Sequence, residues 1–247
     1  MSAMLEVDRV RKAFGGLLAN KDVSLRVPAG GIFGLIGPNG SGKTTLFNSI
    51  VGHHPIDAGS IRFEGREISR LRVPQIARLG LLRTFQQTRI YGGMTCVQNM
   101  AISVPTSELG WRSMWQRPPE ADLRKASDLL EFVGLFPKRH LRAGDLSFGQ
   151  QKLLELAMAL MSAPRMLLLD EPTAGINPTL INGLLDRLRK INRQFGITLL
   201  VIEHNMRVIM ELAEYVYCLA HGELLAEGKP EQIQQDPRVL EAYLGAR

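Results

Sequence analysis

Apolar and polar positions change period along this chain, and the changes mark its elements. LEVDRV, DVSLRV and GIFGLIG each predict a strand early in the chain. GIFGLIG runs straight into GPNGSGKTT, and then LFNSIVG shows apolar residues at helical spacing. SIRFEG predicts a strand with a turn, VPQIARLG a short helix with Pro74 in its first turn, and LLRTFQQ another strand. The texture then becomes helical. TCVQNMAISV predicts a helix, PTSELGWRSMWQRPPE a loop, and ADLRKASDLLEFVGL an amphipathic helix with Leu123, Ala126, Leu129, Leu130 and Val133 on one face. RMLLLDE reads as a buried strand ending in two acids. A helix through PTLINGLLDRLRKINRQF, a strand ITLLVIEHN and a short helix follow. Two strands around YVYCLAHGELLAEG come next, and EQIQQDPRVLEAYLG closes the chain in helix. Strands alternating with helices predict an α/β fold with a mostly parallel sheet covered on both faces.

At 247 residues the chain fits one large domain, or a domain with a subdomain. No stretch approaches the roughly 18 consecutive apolar residues of a membrane-spanning helix. The start MSAMLEVDRV lacks an apolar signal core, so secretion is not expected. Cys96 and Cys218 lie far apart and outside any ligand cluster, which speaks against a disulfide framework or a zinc site. The net charge of +6 is carried by scattered lysines and arginines, so a nucleic-acid partner is not expected.

Chemistry concentrates in a few motifs. Gly37–Thr45, GPNGSGKTT, matches the phosphate loop G-x-x-x-x-G-K-[ST] in its required place between a strand and a helix. Gly40 and Gly42 let the backbone curl so that N–H groups point at phosphate oxygens. Lys43 brings a mobile positive charge to the outer phosphates, and the Thr44 hydroxyl is placed for Mg²⁺. Pro38, Asn39, Ser41 and Thr45 complete the cradle. Asp170 ends the apolar strand MLLLD, where ligands gather in such sheets, and would hold Mg²⁺ through water. Glu171, next to it, can polarise an attacking water. LSFGQQ, from Leu146 to Gln151, opens a second helix with a serine and a glycine, which makes another anion-binding start.

Phosphate loop, lone glutamine, L-S-x-G-Q, acid-ended strand and histidine, in that order, resemble the ATPase domain of ABC transporters over nearly the whole chain. The resemblance implies a P-loop NTPase core with a small antiparallel β region and an inserted helical subdomain. The expected boundaries are 1–87 and 144–247 for the core and 88–143 for the subdomain. It also implies ATP and Mg²⁺ as ligands. Phe14 in KAFGG matches the aromatic residue that stacks on adenine, with a core Phe as the alternative. Gln86 in RTFQQ matches the glutamine that touches Mg²⁺ and the attacking water; Gln87 is adjacent, and the TFQ frame favours Gln86. His204 in VIEHN matches the histidine that contacts the γ-phosphate. In the family two ATPase domains pack head to tail, so Ser147, Gly149 and Gln150 would hold the γ-phosphate of ATP bound to a partner. Phe148 departs from the commoner LSGGQ.

The finer pattern, including KAFGGLLANKDVSL and DEPTAGINP, looks like the ATP-binding subunits of branched-chain amino acid importers. Asn205 is a small departure from IEHDM. That likeness implies integral membrane permease subunits, a second ATPase subunit (identical or a paralogue) and, indirectly, a substrate-binding protein, with the chain peripheral on the cytoplasmic face. Related subunits serve urea, amides or lipopolysaccharide export. Trp111 and Trp115 fit either a membrane or permease contact or local packing on the Asp122–Val133 helix. A non-transport ABC protein would carry long coiled coils or a second ATPase domain. A regulator without turnover would lack Glu171, His204 or Gln86.

Overall fold

The computed structural model describes residues 3–84, 90–104 and 119–244. These residues form two compact units, the first comprising the chain through Arg83, Arg165–Pro172 and the chain from Leu188, the second Thr84–Pro164 and Thr173–Arg187.

The first unit holds two sheets. Strands β1 (Ala3–Phe14), β2 (Leu17–Pro28), β4 (Ala58–Phe63) and β5 (Arg66–Glu67) pair antiparallel in the order β2-β1-β4-β5. Strands β3 (Ile32–Ile36), β6 (Leu81–Arg83), β7 (Met166–Asp170), β8 (Thr198–Ile202), β9 (Tyr215–Ala220) and β10 (Glu223–Gly228) form the second sheet, ordered β10-β9-β3-β8-β7-β6. Every pairing in it is parallel except β9 with β10. Strands β3, β7 and β8 are buried at every position, as continuous apolar runs in a parallel sheet require. Their register aligns their carboxyl ends. Leu35 lies opposite Ile202, and Ile202 lies opposite Asp170, so β8 and β7 end on one rung and β3 ends one residue past it.

Helix α1 (Lys43–Ile50) packs on one side of this sheet. Leu46 and Phe47 join Phe33, Leu35, Leu168 and Leu200 in a core that Val7, Leu25 and Ile61 of the antiparallel sheet extend. Helix α2 (Val73–Arg78) adds Ile76. The opposite side is covered by α7 (Met206–Leu212), α8 (Pro230–Gln235) and α9 (Pro237–Leu244), where Ile36, Ile209, Val216, Cys218, Ile233 and Val239 pack together. The closing helix expected from the periodicity is therefore two helices. Pro237 cannot donate to a continuing helix, and the Asp236 carboxylate takes the Arg238 N–H at 2.9 Å, starting α9 afresh.

The second unit contains α3 (Cys96–Ile102), α4 (Glu120–Phe132), α5 (Phe148–Met161) and the first half of α6 (Pro178–Phe195). Helix α3 opens on a capping box between Thr95 and Gln98. The predicted stripe on α4 buries Ala126, Leu129, Leu130 and, just past the helix, Val133, but Leu123 is 40% exposed. The packed length of α4 begins one turn after it. Trp111 and Trp115 lie outside the described residues.

Candidate active site

The aligned strand ends explain why distant motifs meet. The chain leaves β3 at Ile36 into Gly37–Gly42, leaves β7 at Asp170 into Glu171, and leaves β8 at Ile202 into Glu203 and His204. All three exits lie at the carboxyl ends of adjacent parallel strands, where open α/β sheets bind ligands. A cleft of about 600 Å³ opens there, lined by Phe14, Asn39, Gly40, Ser41, Gly42, Lys43, Thr44, Thr45, Glu171 and His204. Pro38 faces a neighbouring cavity, and Gly37 lies behind the loop.

Helix α1 has no side-chain cap at Gly42, so its first-turn N–H groups are left for an external acceptor. Lys43 is folded back over the loop. Its ammonium donates to the carbonyls of Gly37 at 2.7 Å and Pro38 at 2.9 Å, and to Ser41 Oγ at 3.3 Å. Burial pulls the Lys43 pKa below its ordinary value, and the nearby Glu171 and Asp170 oppose that pull. Gly37 has φ +144°, and a Cβ there would stand 2.0 Å from the Leu219 carbonyl oxygen, so the position admits glycine alone.

Glu171 sits at φ +49°, a left-handed conformation that costs a non-glycine residue of order 1–3 kcal/mol. Its N–H is tied to the Ile202 carbonyl at 2.9 Å, which holds that turn. Its Oε1 meets His204 Nε2 at 2.7 Å. Asp170 is less open than the motif suggests. It is 2% exposed, and its Oδ2 accepts from Arg83 Nη2 at 2.5 Å. A second Arg83 nitrogen, Nη1, donates to Asn48 Oδ1 of α1. Asp170 Oδ1 is buried with no hydrogen-bond partner among the described residues. Sequence reading missed Arg83. Its signal was a charge at the end of the apolar strand LLR, which pairs with β7.

Phe14 ends β1 with its ring 44% exposed and edge-on to His54, the centroids 5.2 Å apart. Its strand end is fixed by Asp57, which accepts the Ala13 N–H at 2.6 Å and the Lys12 ammonium at 3.0 Å. That backbone bond, with the Lys12 contact, holds the Asp57 carboxyl below its usual pKa. Neither His54 nor Asp57 was singled out from sequence. Gln86 lies outside the described residues.

Ser147, Gly149 and Gln150 belong to the second unit and start α5. Ser147 Oγ accepts from the Gln150 N–H, and Gln150 Oε1 accepts from the Ser147 N–H, forming a capping box. Lys138 donates to the same Oε1 at 3.1 Å. The Phe148 ring, 45% exposed, lies over Gly175 in the loop after β7. A Cβ on Gly175 would meet its Cε1 at 2.7 Å. The aromatic departure in the signature thus packs where the chain carries no side chain.

For Mg²⁺ the donors are suitable. The hydroxyl of the exposed Thr44 and the Asp170 Oδ1 are hard oxygen ligands; among the described residues that Oδ1 has no hydrogen-bond partner and no cage of three His, Cys, Asp or Glu forms. Such a set suits a cation that keeps waters and phosphate oxygens as its other ligands.

A family model described as ABC transporter matches residues 20–174, and one described as branched-chain amino acid ATP-binding cassette transporter matches residues 223–247. The chain is 39% identical to the high-affinity branched-chain amino acid transport ATP-binding protein BraF of Pseudomonas aeruginosa, over 98% of each chain. It is 38% identical to the probable branched-chain amino acid transport ATP-binding protein LivG of Archaeoglobus fulgidus, over 99% of this chain and 96% of that one. A solved ATP-binding cassette of an ABC transporter in its ADP conformation superposes with a TM-score of 0.88 at 33% identity, covering 99% of this chain and 100% of that one.

Proposed function

Because the chain belongs to the ABC transporter family, as one of its ATP-hydrolysing subunits, we propose that it powers the import of branched-chain or related amino acids. The cleft that gathers the phosphate loop with the Glu171–His204 pair carries this reading. The likeness of residues 223–247 to the branched-chain model supports the cargo.

In this mechanism the loop and the first turn of α1 bind the β- and γ-phosphates through backbone N–H groups. Lys43 turns from the Gly37 and Pro38 carbonyls to the phosphate oxygens. The Phe14 ring offers its face to adenine. Glu171 takes the proton of the attacking water as the bond to the γ-phosphorus forms and the bond to the bridging oxygen breaks, giving ADP and phosphate. His204 holds the Glu171 carboxylate and reaches the γ-phosphate. Thr44 and Asp170, with Gln86, would hold Mg²⁺, and Arg83 fixes the Asp170 rotamer. When bound, the cation would neutralise charge developing on the phosphate oxygens.

Ser147, Gly149 and Gln150 would close on the ATP of a second ATPase subunit, so neither site is complete alone and hydrolysis separates the pair. Among the described residues no helix is long and apolar enough to cross a membrane, which fits a subunit docked on separate permeases at the cytoplasmic face. A substrate-binding protein would deliver the solute from the other side.

Glu171→Gln is expected to lower kcat by at least about 100-fold while leaving ATP affinity within about threefold. Hydrolysis at the parental rate would remove Glu171 as the base. Purification of the tagged chain from its own membranes should yield two permeases and a second similar ATPase. A co-purifying binding protein that takes no branched-chain amino acid would overturn the cargo.

A further inference from the structure

The phosphate loop is held twice at its first residue, and one hold comes from the far end of the chain. The N–H of Gly37 donates to the Tyr243 hydroxyl at 2.8 Å, across 206 residues of sequence. The Gly37 carbonyl accepts from Lys43 at 2.7 Å. One glycine therefore carries two ties, at a site too close to the Leu219 carbonyl to accept a Cβ. When the Lys43 ammonium turns to phosphate, the carbonyl loses its partner and the N–H tie remains.

Tyr243 is well placed to keep it. The residue packs against the cluster of Ile36, Cys218 and Val239. Burial raises its phenol to about 12, so the hydroxyl stays neutral and protonated in ordinary buffers. Its position depends on the break at Asp236–Pro237, since an unbroken helix from Pro230 would carry Tyr243 along another axis. The fresh start of α9 is secured by Asp236, which accepts from the Arg238 N–H and guanidinium. Tyr243 also lies in the 223–247 segment matched by the branched-chain model, beyond the 20–174 span of the general ABC match.

We propose that the C-terminal helix is a working part of the nucleotide site, with Tyr243 as a positioning residue that keeps the start of the phosphate loop in its binding shape. This rests on the reading that Gly37–Thr45 binds ATP. Without the hydroxyl, the Gly37 N–H must find another partner, and the loop spends less of its time in the shape that receives phosphate. Apparent affinity falls by that fraction, whereas the saturated enzyme, with its loop held by ligand, turns over normally.

The test sets Tyr243→Phe beside Val239→Ala in the full-length protein. Val239 is 1% exposed, packs in the same apolar cluster as Ile36 and Cys218, and has no polar side-chain atom to hold the Gly37 N–H. ADP binding is measured by titration calorimetry, with KM and kcat for ATP and the thermal unfolding midpoint. Tyr243→Phe should weaken ADP and raise KM about tenfold, with kcat within about twofold. Val239→Ala should lower the midpoint at least as much yet leave ADP affinity within about twofold. Parental ADP affinity in Tyr243→Phe, or an equal loss in Val239→Ala, would overturn the role of the hydroxyl. Failure of the unmodified protein to bind ADP would instead overturn the phosphate-loop reading beneath it.

Discussion

Helix α1 begins at Gly42 with no side-chain cap, whereas helix α5 begins at Ser147 inside a capping box. Both starts are rich in small residues, and both carry the dipole that favours an anion. At α1 the protein leaves the N–H groups open and shapes the loop from behind, through Tyr243, Lys43 and the close pass over Leu219. At α5 it satisfies two of the donors within the chain, the N–H groups of Ser147 and Gln150. An uncapped start is a site ready for a ligand in one chain. A start capped by its own side chains needs no ligand to settle those donors.

Three glycine substitutions probe this contrast, in order of expected effect, one of them paired with a second change. Gly37→Ala should be the most damaging, because the added Cβ would stand 2.0 Å from backbone at φ +144°. ADP affinity measured by calorimetry should fall by at least about 100-fold. Retained binding would mean the loop is less tightly seated than its geometry indicates.

Gly175→Ala comes next. The Cβ would press on the Phe148 ring at 2.7 Å, with φ +73° adding backbone strain. Urea unfolding should show a loss of about 1–3 kcal/mol. Phe148→Ala in the same chain should recover the steric part, so the two changes should be non-additive by at least about 0.5 kcal/mol. Strict additivity would show that the ring and Gly175 do not depend on each other.

Gly149→Ala should do least to the isolated chain. Its Cβ would meet Leu180 and Ile176 at 3.8 and 3.9 Å, ordinary contact distances, and alanine suits a helix better than glycine. Stability should stay level or rise by up to about 1 kcal/mol, with ADP affinity unchanged. If Gly149 meets the partner's γ-phosphate, hydrolysis at saturating ATP should still fall. A variant that hydrolyses ATP normally would argue against that contact.

How much of this was legible in the sequence depends on distance along the chain. The phosphate loop was legible because its strand, turn and helix are contiguous, and its glycines and Lys43 act within nine residues, Gly37 to Thr45. Glu171 and His204 were legible through motif order, and the parallel register of β3, β8 and β7 supplies the reason they converge. Arg83, Asp57, His54 and Tyr243 were not legible. Each acts across dozens of residues or more; the charge ending LLR was the one local sign, for Arg83, and nothing local sets the other three apart from ordinary surface or core positions. The exposure of Leu123 shows the same limit, since helical spacing gives a face but not the length of it that a neighbour covers.

The sequence by itself determined the alternation of strand and helix, the phosphate loop, the acid-ended strand and the family, because period, turn chemistry and motif spacing are local properties. Only the tertiary structure decided that Asp170 is clamped by Arg83, that Phe148 rests on Gly175, and that a tyrosine from the last helix holds the first glycine of the loop. Those contacts depend on which faces the packed sheet and helices bring within hydrogen-bonding or van der Waals reach, and that is set by the fold as a whole.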